Sequence, residues 1–339
     1  MKTIVMQDIG LNHLHLIHTP IPEIGPDQIL VKMEFASLNY LDLLVIQGDL
    51  KLPIHYPYCP ISDGSGTVID VGTHVHDFKN GDRVATVFMP KWREGRFTPE
   101  KTALETRSGL GVVSGCLAEY RAFKKDQVIH IPDEISLKAA STLPIAGLTA
   151  WKALEHGKVY GGQTILLHGT GGTSIFALQF AKKMGLKVII TSSSDEKLER
   201  AQTLGADHLI NYRTTPDWNQ KILDVTCGQG VDFVFENVGG DNINKSIAAL
   251  RTEGHISLVG LQTGFEMKIN AFPLLWKNAT IRGMEVGNYE DFHNMLKFLL
   301  INNIHPIIDK EFSLIETAAA LRYLQSGNHF GKIAINISN

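Results

Sequence analysis

Gly169-Thr-Gly-Gly-Thr-Ser174 is the run with the plainest chemical purpose. Glycines at Gly169, Gly171 and Gly172, with small Thr170, Thr173 and Ser174 between and after them, allow a tight turn and let backbone N–H groups approach an anion at a positive helix terminus. A pyrophosphate is the anion such a loop suits best, provided that a strand precedes it and a helix follows. About 20 residues on, a loop selective for an unphosphorylated ribose carries Asp or Glu. This chain instead reads Ile190-Thr191-Ser192-Ser193-Ser194, followed by Lys197. Hydroxyl donors and a cation suit a 2′-phosphate, which a carboxylate would repel, so NADPH is the expected cofactor. The alternative is that Ser194 is only a helix cap and Lys197 a solvated side chain.

The surrounding elements provide that context. From Gln163 the pattern alternates strand and helix: a strand at Thr164 to Leu167, a helix at Thr173 to Met184 closed by Gly185, and a strand at Lys187 to Thr191. A helix capped by Ser194 follows, then a strand at His208 to Asn211. Thr215-Pro216 has the form of an N-cap with proline in the first turn, and strands follow at Val231 to Glu236, His255 to Val259 and Thr280 to Arg282. This alternation is that of a doubly wound parallel α/β sheet. The first third is β-rich, with candidate strands at 28–35, 66–71 and 82–87, and residues 91–115 form an irregular polar excursion before a strand resumes at Cys116. The tail from Asp291 supplies a helix, a strand, a helix at Ile315 to Gln325 and a strand at Lys332 to Ile337 that could return to the first domain.

Several motifs accompany the glycine loop: Gly25-Pro-Asp-Gln-Ile-Leu-Val31, Ala36-Ser-Leu-Asn-Tyr-Leu-Asp42, Lys79-Asn-Gly-Asp-Arg-Val84, Leu148-Thr-Ala-Trp151, Leu204-Gly-Ala-Asp207 and Gly331-Lys-Ile-Ala-Ile335. Together they make the chain resemble, over essentially its whole length, a zinc-independent medium-chain dehydrogenase/reductase of the quinone oxidoreductase type. The resemblance implies a Rossmann domain at 126–289 and a GroES-like β-rich catalytic domain formed by 1–125 and 290–339, with an active-site cleft at their junction. By the same resemblance, the zinc-ligand positions fall on Asn39, on Ser62 followed by Asp63, and on Ile145. None is a competent ligand, and the excursion lacks the four cysteines that zinc alcohol dehydrogenases often carry there.

The resemblance also implies roles. Asn39 and Tyr40 would lie near the nicotinamide and substrate, and Thr149 would touch the nicotinamide end. Asn237, Val238, Gly260 and Leu261 would face the cofactor from strand ends. Ser192, Lys197 and Tyr212 would hold the 2′-phosphate, while Phe330 and Lys332 would close the site. For Tyr40, packing at a domain junction is an equal alternative. Asp42 and Asp63 read as structural, since no partner for either is visible in the sequence.

A chain with this loop and no zinc would transfer hydride to a quinone or an α,β-unsaturated carbonyl, because an alkoxide needs a Lewis acid near neutral pH. An alcohol dehydrogenase of the same superfamily and a non-catalytic NADPH-binding sensor or structural protein are the other readings. Net charge −3 without Lys/Arg runs points to small-molecule partners rather than nucleic acid or membrane surfaces. No signal-like opening or membrane-length apolar run is visible, so a cytoplasmic location is expected. Three scattered cysteines write neither a disulfide framework nor a structural zinc ribbon. His13 and His15 could share one face of a strand, but exposed histidines on a hairpin are the simpler reading. A homodimer is expected through the sheet edge near Thr280 to Val286.

Overall fold

The computed structural model describes residues 1–338. The chain divides into two compact units, Met1–Leu148 with Asn288–Asn339 and Thr149–Gly287.

In Thr149–Gly287, six strands lie parallel in the order His208–Asn211, Lys187–Ser192, Thr164–His168, Val231–Glu236, Leu250–Leu258, Thr280–Gly283. Sequence order runs outward in both directions from Thr164–His168. Right-handed crossovers therefore place helices on opposite faces, and the direction reverses between Thr164–His168 and Val231–Glu236. Open sheets of this kind bind ligands at the carboxyl ends of the strands beside such a reversal. Leu166, Ile189, Val234 and Ile256 from four strands pack with Trp218 and Ile222 of the helix Trp218–Val225 and with Ile243 and Ile247 of Asn242–Ala249. All eight are nearly or fully buried, which is why these strands read as apolar runs rather than alternating ones.

In the other unit, Ile308–Ser313, Lys332–Asn336, Gln28–Ser37, Asp63–Val71, Arg83–Thr86 and Val128–His130 form a continuous path of paired strands, and Tyr120–Lys124 adds to Gln28–Ser37. Lys332–Asn336 pairs antiparallel with Phe35 to Ser37, so the tail does return to the β-rich unit. The first unit extends past the expected limit at residue 125 as far as Leu148, because Val128–His130 pairs with Arg83–Thr86 in its sheet.

Other expectations shift. Thr215-Pro216 does not open a helix: the next one is Trp218–Val225, with Asp217 at the N-cap position. Strand structure resumes at Tyr120 rather than Cys116. His13 ends a short 3-10 turn, Leu11–His13, while His15 lies in the strand Leu14–His18, so the two do not share a strand face. The polar excursion is tied down by glycines. At Gly109, with φ +79°, a Cβ would stand 2.6 Å from the Ser62 Cα, and at Gly115 one would stand 2.2 Å from the carbonyl oxygens of Pro60 and Ile61. The loop can lie against the segment leading into Asp63–Val71 only because side chains are missing there. Among the described residues, no helix is long and apolar enough to cross a membrane.

Candidate functional site

The glycine loop has the geometry its sequence requires. Thr164–His168 ends directly before it and the helix Gly172–Lys183 opens within it. Gly169 has φ +70°, and a Cβ built on it would meet open space. Gly171 is the N-cap, and no side chain caps the helix, so its first amides have no side-chain acceptor, as an anion-binding helix end requires. Thr170 is buried, and Ser174 lies under the loop, where its Oγ donates to the His168 carbonyl at 2.7 Å. The residue in the third glycine position thus supports the turn through a hydrogen bond.

Asn237 meets the same point from across the reversal. Its Nδ2 donates to the His168 carbonyl (2.9 Å) and to Ser174 Oγ (3.0 Å), while its buried Oδ1 has no hydrogen-bond partner. An orphaned acceptor at the strand ends is a fitting contact for a ligand hydroxyl or amide. Val238 and Gly239 follow it, and Gly260 packs so closely that a Cβ would stand 2.9 Å from the Asn237 carbonyl oxygen. Leu261 lies against Gly239. Thr149 is buried and donates to the Glu285 carbonyl at 2.9 Å, so its hydroxyl proton is already used within its own unit.

At the end of Lys187–Ser192, Ser192 is buried and Ser193 half-buried. Ser194 caps Asp195–Thr203 by accepting from the Lys197 amide, as the sequence indicates. The Tyr212 amide donates to the Ser192 carbonyl at 3.0 Å, which places Tyr212 beside the serines and next to the start of the same helix. In the first turn of that helix, Asp195 is engaged by Asn211 Nδ2 at 2.8 Å.

The second cluster lies in the β-rich unit. Asn39, Asp63 and Ile145 come together: Asp63 Oδ2 accepts from Asn39 Nδ2 at 2.8 Å and from the Ile145 amide at 3.2 Å. Lys332 Nζ donates to Asn39 Oδ1 (2.7 Å) and to the Leu38 carbonyl (2.5 Å). Lys332 can only donate, so the amide orientation of Asn39 is settled by chemistry. Asp42 completes the cluster. Its two carboxylate oxygens accept from the Asn39 amide (2.7 Å) and the Ser62 amide (3.0 Å), tying the first turn of Tyr40–Gln47 to the segment entering Asp63–Val71. All of these side chains are buried. Burial raises the Asp42 carboxyl to about 6, against the opposing pull of the two amides and Lys332. It also raises Asp63 and lowers Lys332, while the attraction between Lys332 and the carboxylates works the other way. Ser62 Oγ and Asp63 Oδ1 have no hydrogen-bond partner.

The structure therefore gathers the expected residues into two groups, the glycine loop with the serine end and Asn237, and the Asn39 cluster. Asp42 and Asp63 have the partners that the sequence hid. Lys332 is buried with its Nζ on Asn39 Oδ1 and the Leu38 carbonyl, and Phe330, two residues before it, is buried as well. Tyr40 opens its helix with 42% of its surface exposed. Among the described residues, no three His, Cys, Asp or Glu side chains group to hold a metal ion. The sequence reading missed a buried network around His168 and Glu236. The signal was available: a histidine directly before the glycine loop and a glutamate closing a strand directly after the apolar run Phe233-Val-Phe235.

Two family models match, an alcohol dehydrogenase GroES-like domain over residues 25–133 and a zinc-binding dehydrogenase over 172–300. The chain is 38% identical to a zinc-type alcohol dehydrogenase-like protein of Schizosaccharomyces pombe, over 99% of each chain. Its structure superposes with TM-score 0.92 on that of a protein of Sinorhizobium meliloti 1021 assigned as an alcohol dehydrogenase, at 37% identity, covering 99% of this chain and 98% of that one. It superposes with TM-score 0.80 on a quinone oxidoreductase of Coxiella burnetii, at 29% identity and 99% coverage of both. With the glycine loop, the sheet reversal and the GroES-like unit in place, the chain belongs to the medium-chain dehydrogenase/reductase superfamily, whose members are oxidoreductases that use a nicotinamide cofactor.

Proposed function

We propose that this protein is an NADPH-dependent oxidoreductase that delivers hydride to a quinone or an α,β-unsaturated carbonyl without a metal ion. The observation that carries the reading is the state of Asn39. At the position where the zinc enzymes of the family place a cysteine, both polar atoms of its side chain are committed, Nδ2 to Asp63 and Oδ1 to Lys332. A buried ammonium beside them opposes a second cation in the same low-dielectric space. Ser62 and Ile145 offer no charged ligand to compensate. Without a Lewis acid, acceptors that spread the incoming charge by conjugation are favoured over simple alcohols.

A bound nicotinamide cofactor supplies the hydride. The protein's share is placement: the glycine loop and the uncapped helix end hold the pyrophosphate, and Asn237 Oδ1 accepts from the ligand. Tyr40, next to Asn39, offers a hydroxyl to the substrate carbonyl. Protein treated with chelator should keep its full turnover of NADPH with a quinone and enone panel. Stoichiometric zinc, or activity lost on chelation, would give the chain to the alcohol dehydrogenase reading that the names of two relatives favour. Silence across the panel would favour a binding protein.

NADPH preference is supported by Ser192, Ser193 and Lys197, and by the engagement of Asp195 with Asn211. Replacing Lys197 with alanine is expected to raise KM for NADPH roughly tenfold, the value of one hydrogen bond to a charged group, with little change for NADH. Equal effects on the two cofactors would sink the assignment. The reading also takes the protein as a homodimer joined at Thr280–Gly283, a strand paired on one side only.

A further inference from the structure

His168 lies at the reversal point of the six-stranded sheet and is buried, with both ring nitrogens engaged. Nδ1 is 3.2 Å from Thr191 Oγ1, and Nε2 is 3.0 Å from Ser246 Oγ. The directions of these bonds follow from their neighbours. Thr191 Oγ1 accepts from the Gly169 amide at 3.4 Å and keeps its own proton, which it gives to Nδ1 when Nε2 carries the proton of the ring. Ser246 Oγ donates to Glu236 Oε2 at 2.5 Å, so it accepts from Nε2–H, and Asn242 Nδ2, 3.4 Å from Nε2, gives its protons instead to the closer Glu236 oxygens at 3.0 and 3.2 Å. Glu236 Oε1 accepts from the amides of Val238 (2.9 Å) and Gly239 (3.1 Å). The result is one directed chain: Gly169 N–H to Thr191, Thr191 to His168, His168 to Ser246, Ser246 to Glu236, and the amides after Asn237 to Glu236. Trp218 lies edge-on to the imidazole at 4.9 Å between ring centroids, and burial disfavours a proton on both nitrogens, against the opposing pull of Glu236.

This chain joins the three strand ends from which the cofactor contacts project: Thr164–His168 with the glycine loop, Lys187–Ser192 with the serines, and Val231–Glu236 with Asn237. We propose that His168 is a positioning residue for the nicotinamide cofactor, a neutral imidazole carrying its proton on Nε2 that fixes the glycine loop against the adenosine-side serines and Asn237. A dinucleotide touches all three ends at once, so its affinity depends on their spacing, whereas the reacting end is placed by other contacts. The inference rests on a nicotinamide cofactor at the glycine loop, and not on NADPH preference, metal independence or the identity of the acceptor.

His168→Phe keeps the ring volume and the Trp218 contact and removes both hydrogen bonds. Its KM should rise at least about tenfold for NADPH and NADH alike, while kcat at saturating cofactor and KM for the acceptor stay within about twofold. Thr191→Val, nearly isosteric, should shift cofactor KM in the same direction by a smaller factor, and it decides the matter alone if His168→Phe does not fold. Long-range ¹⁵N spectra of the unmodified protein at about pH 8 should show Nε2 protonated and Nδ1 unprotonated. A folded variant with unchanged cofactor KM and a lowered Tm would make His168 a mere stability residue and overturn the proposal, as would a proton on Nδ1. If the unmodified protein binds neither cofactor, it is the cofactor reading that has failed.

Discussion

Replacing Lys332 with methionine should destabilise the protein by about 3–5 kcal/mol at neutral pH, because it leaves buried carboxylates without their nearby cation and two buried acceptors without a donor. Lys332 is 3% exposed, and it is the cation beside Asp42 and Asp63, which are 1% and 0% exposed. Without its ammonium, two carboxylates remain in a low-dielectric space, and the Leu38 carbonyl and Asn39 Oδ1 lose their donor. The pH dependence has a definite sign. Burial already holds both carboxyls above their ordinary range, and losing Lys332 raises them further. The folded variant therefore takes up protons that the unfolded chain, with carboxyls near about 4, does not. The stability from that uptake is fully present below about pH 4 and is lost as pH rises through the raised folded values. Urea unfolding at about pH 5 and pH 8 checks this: the deficit relative to the unmodified protein should be smaller at the lower pH. Asp63→Asn added to Lys332→Met should recover part of the loss at pH 8, because it removes one uncompensated charge. A deficit equal at both pH values would show that lost packing, not charge, is responsible.

Glu236→Ala should be nearly as damaging. The carboxylate is fully buried and accepts from the Val238 and Gly239 amides, from Ser246 Oγ and from Asn242 Nδ2. Alanine leaves four donors without an acceptor and opens a cavity, for a loss on the order of 4 kcal/mol. Thermal unfolding measures the total. Hydrogen exchange locates it, since the Val238 and Gly239 amides should lose protection more than amides in the middle of Thr164–His168. Because those two amides follow Asn237, cofactor affinity should fall as well. Glu236→Gln should be milder yet still destabilising, because its amide nitrogen must face a donor.

Much of the cofactor half was legible because its determinants are local. The Gly169–Ser174 spacing, the Ser194 cap and the apolar runs of the parallel strands each act within a few residues, and each is realised where the sequence places it. Boundaries depending on distant pairing were not legible in the same way. The first unit runs on to Leu148 because Val128–His130 finds Arg83–Thr86, and the helix after Thr215-Pro216 starts two residues past the proline, at Trp218.

The polar residues divide along the same line. Asp42, Asp63, Glu236 and Lys332 are ordinary charged letters in the sequence, and nothing near them in the chain announces their burial. Their partners lie far away: Asp63 is 24 residues from Asn39, and Lys332 is 293. By itself the sequence determined the family, the nicotinamide loop and the parallel sheet, all of which rest on short-range patterns. Tertiary structure alone decided how Asn39, Asp63 and Lys332 are partnered and what braces the loop. A buried charge or a neutral histidine acquires its role from the groups that folding brings within about 3 Å of it, and hydrogen bonds of that range carry no periodic trace along the chain.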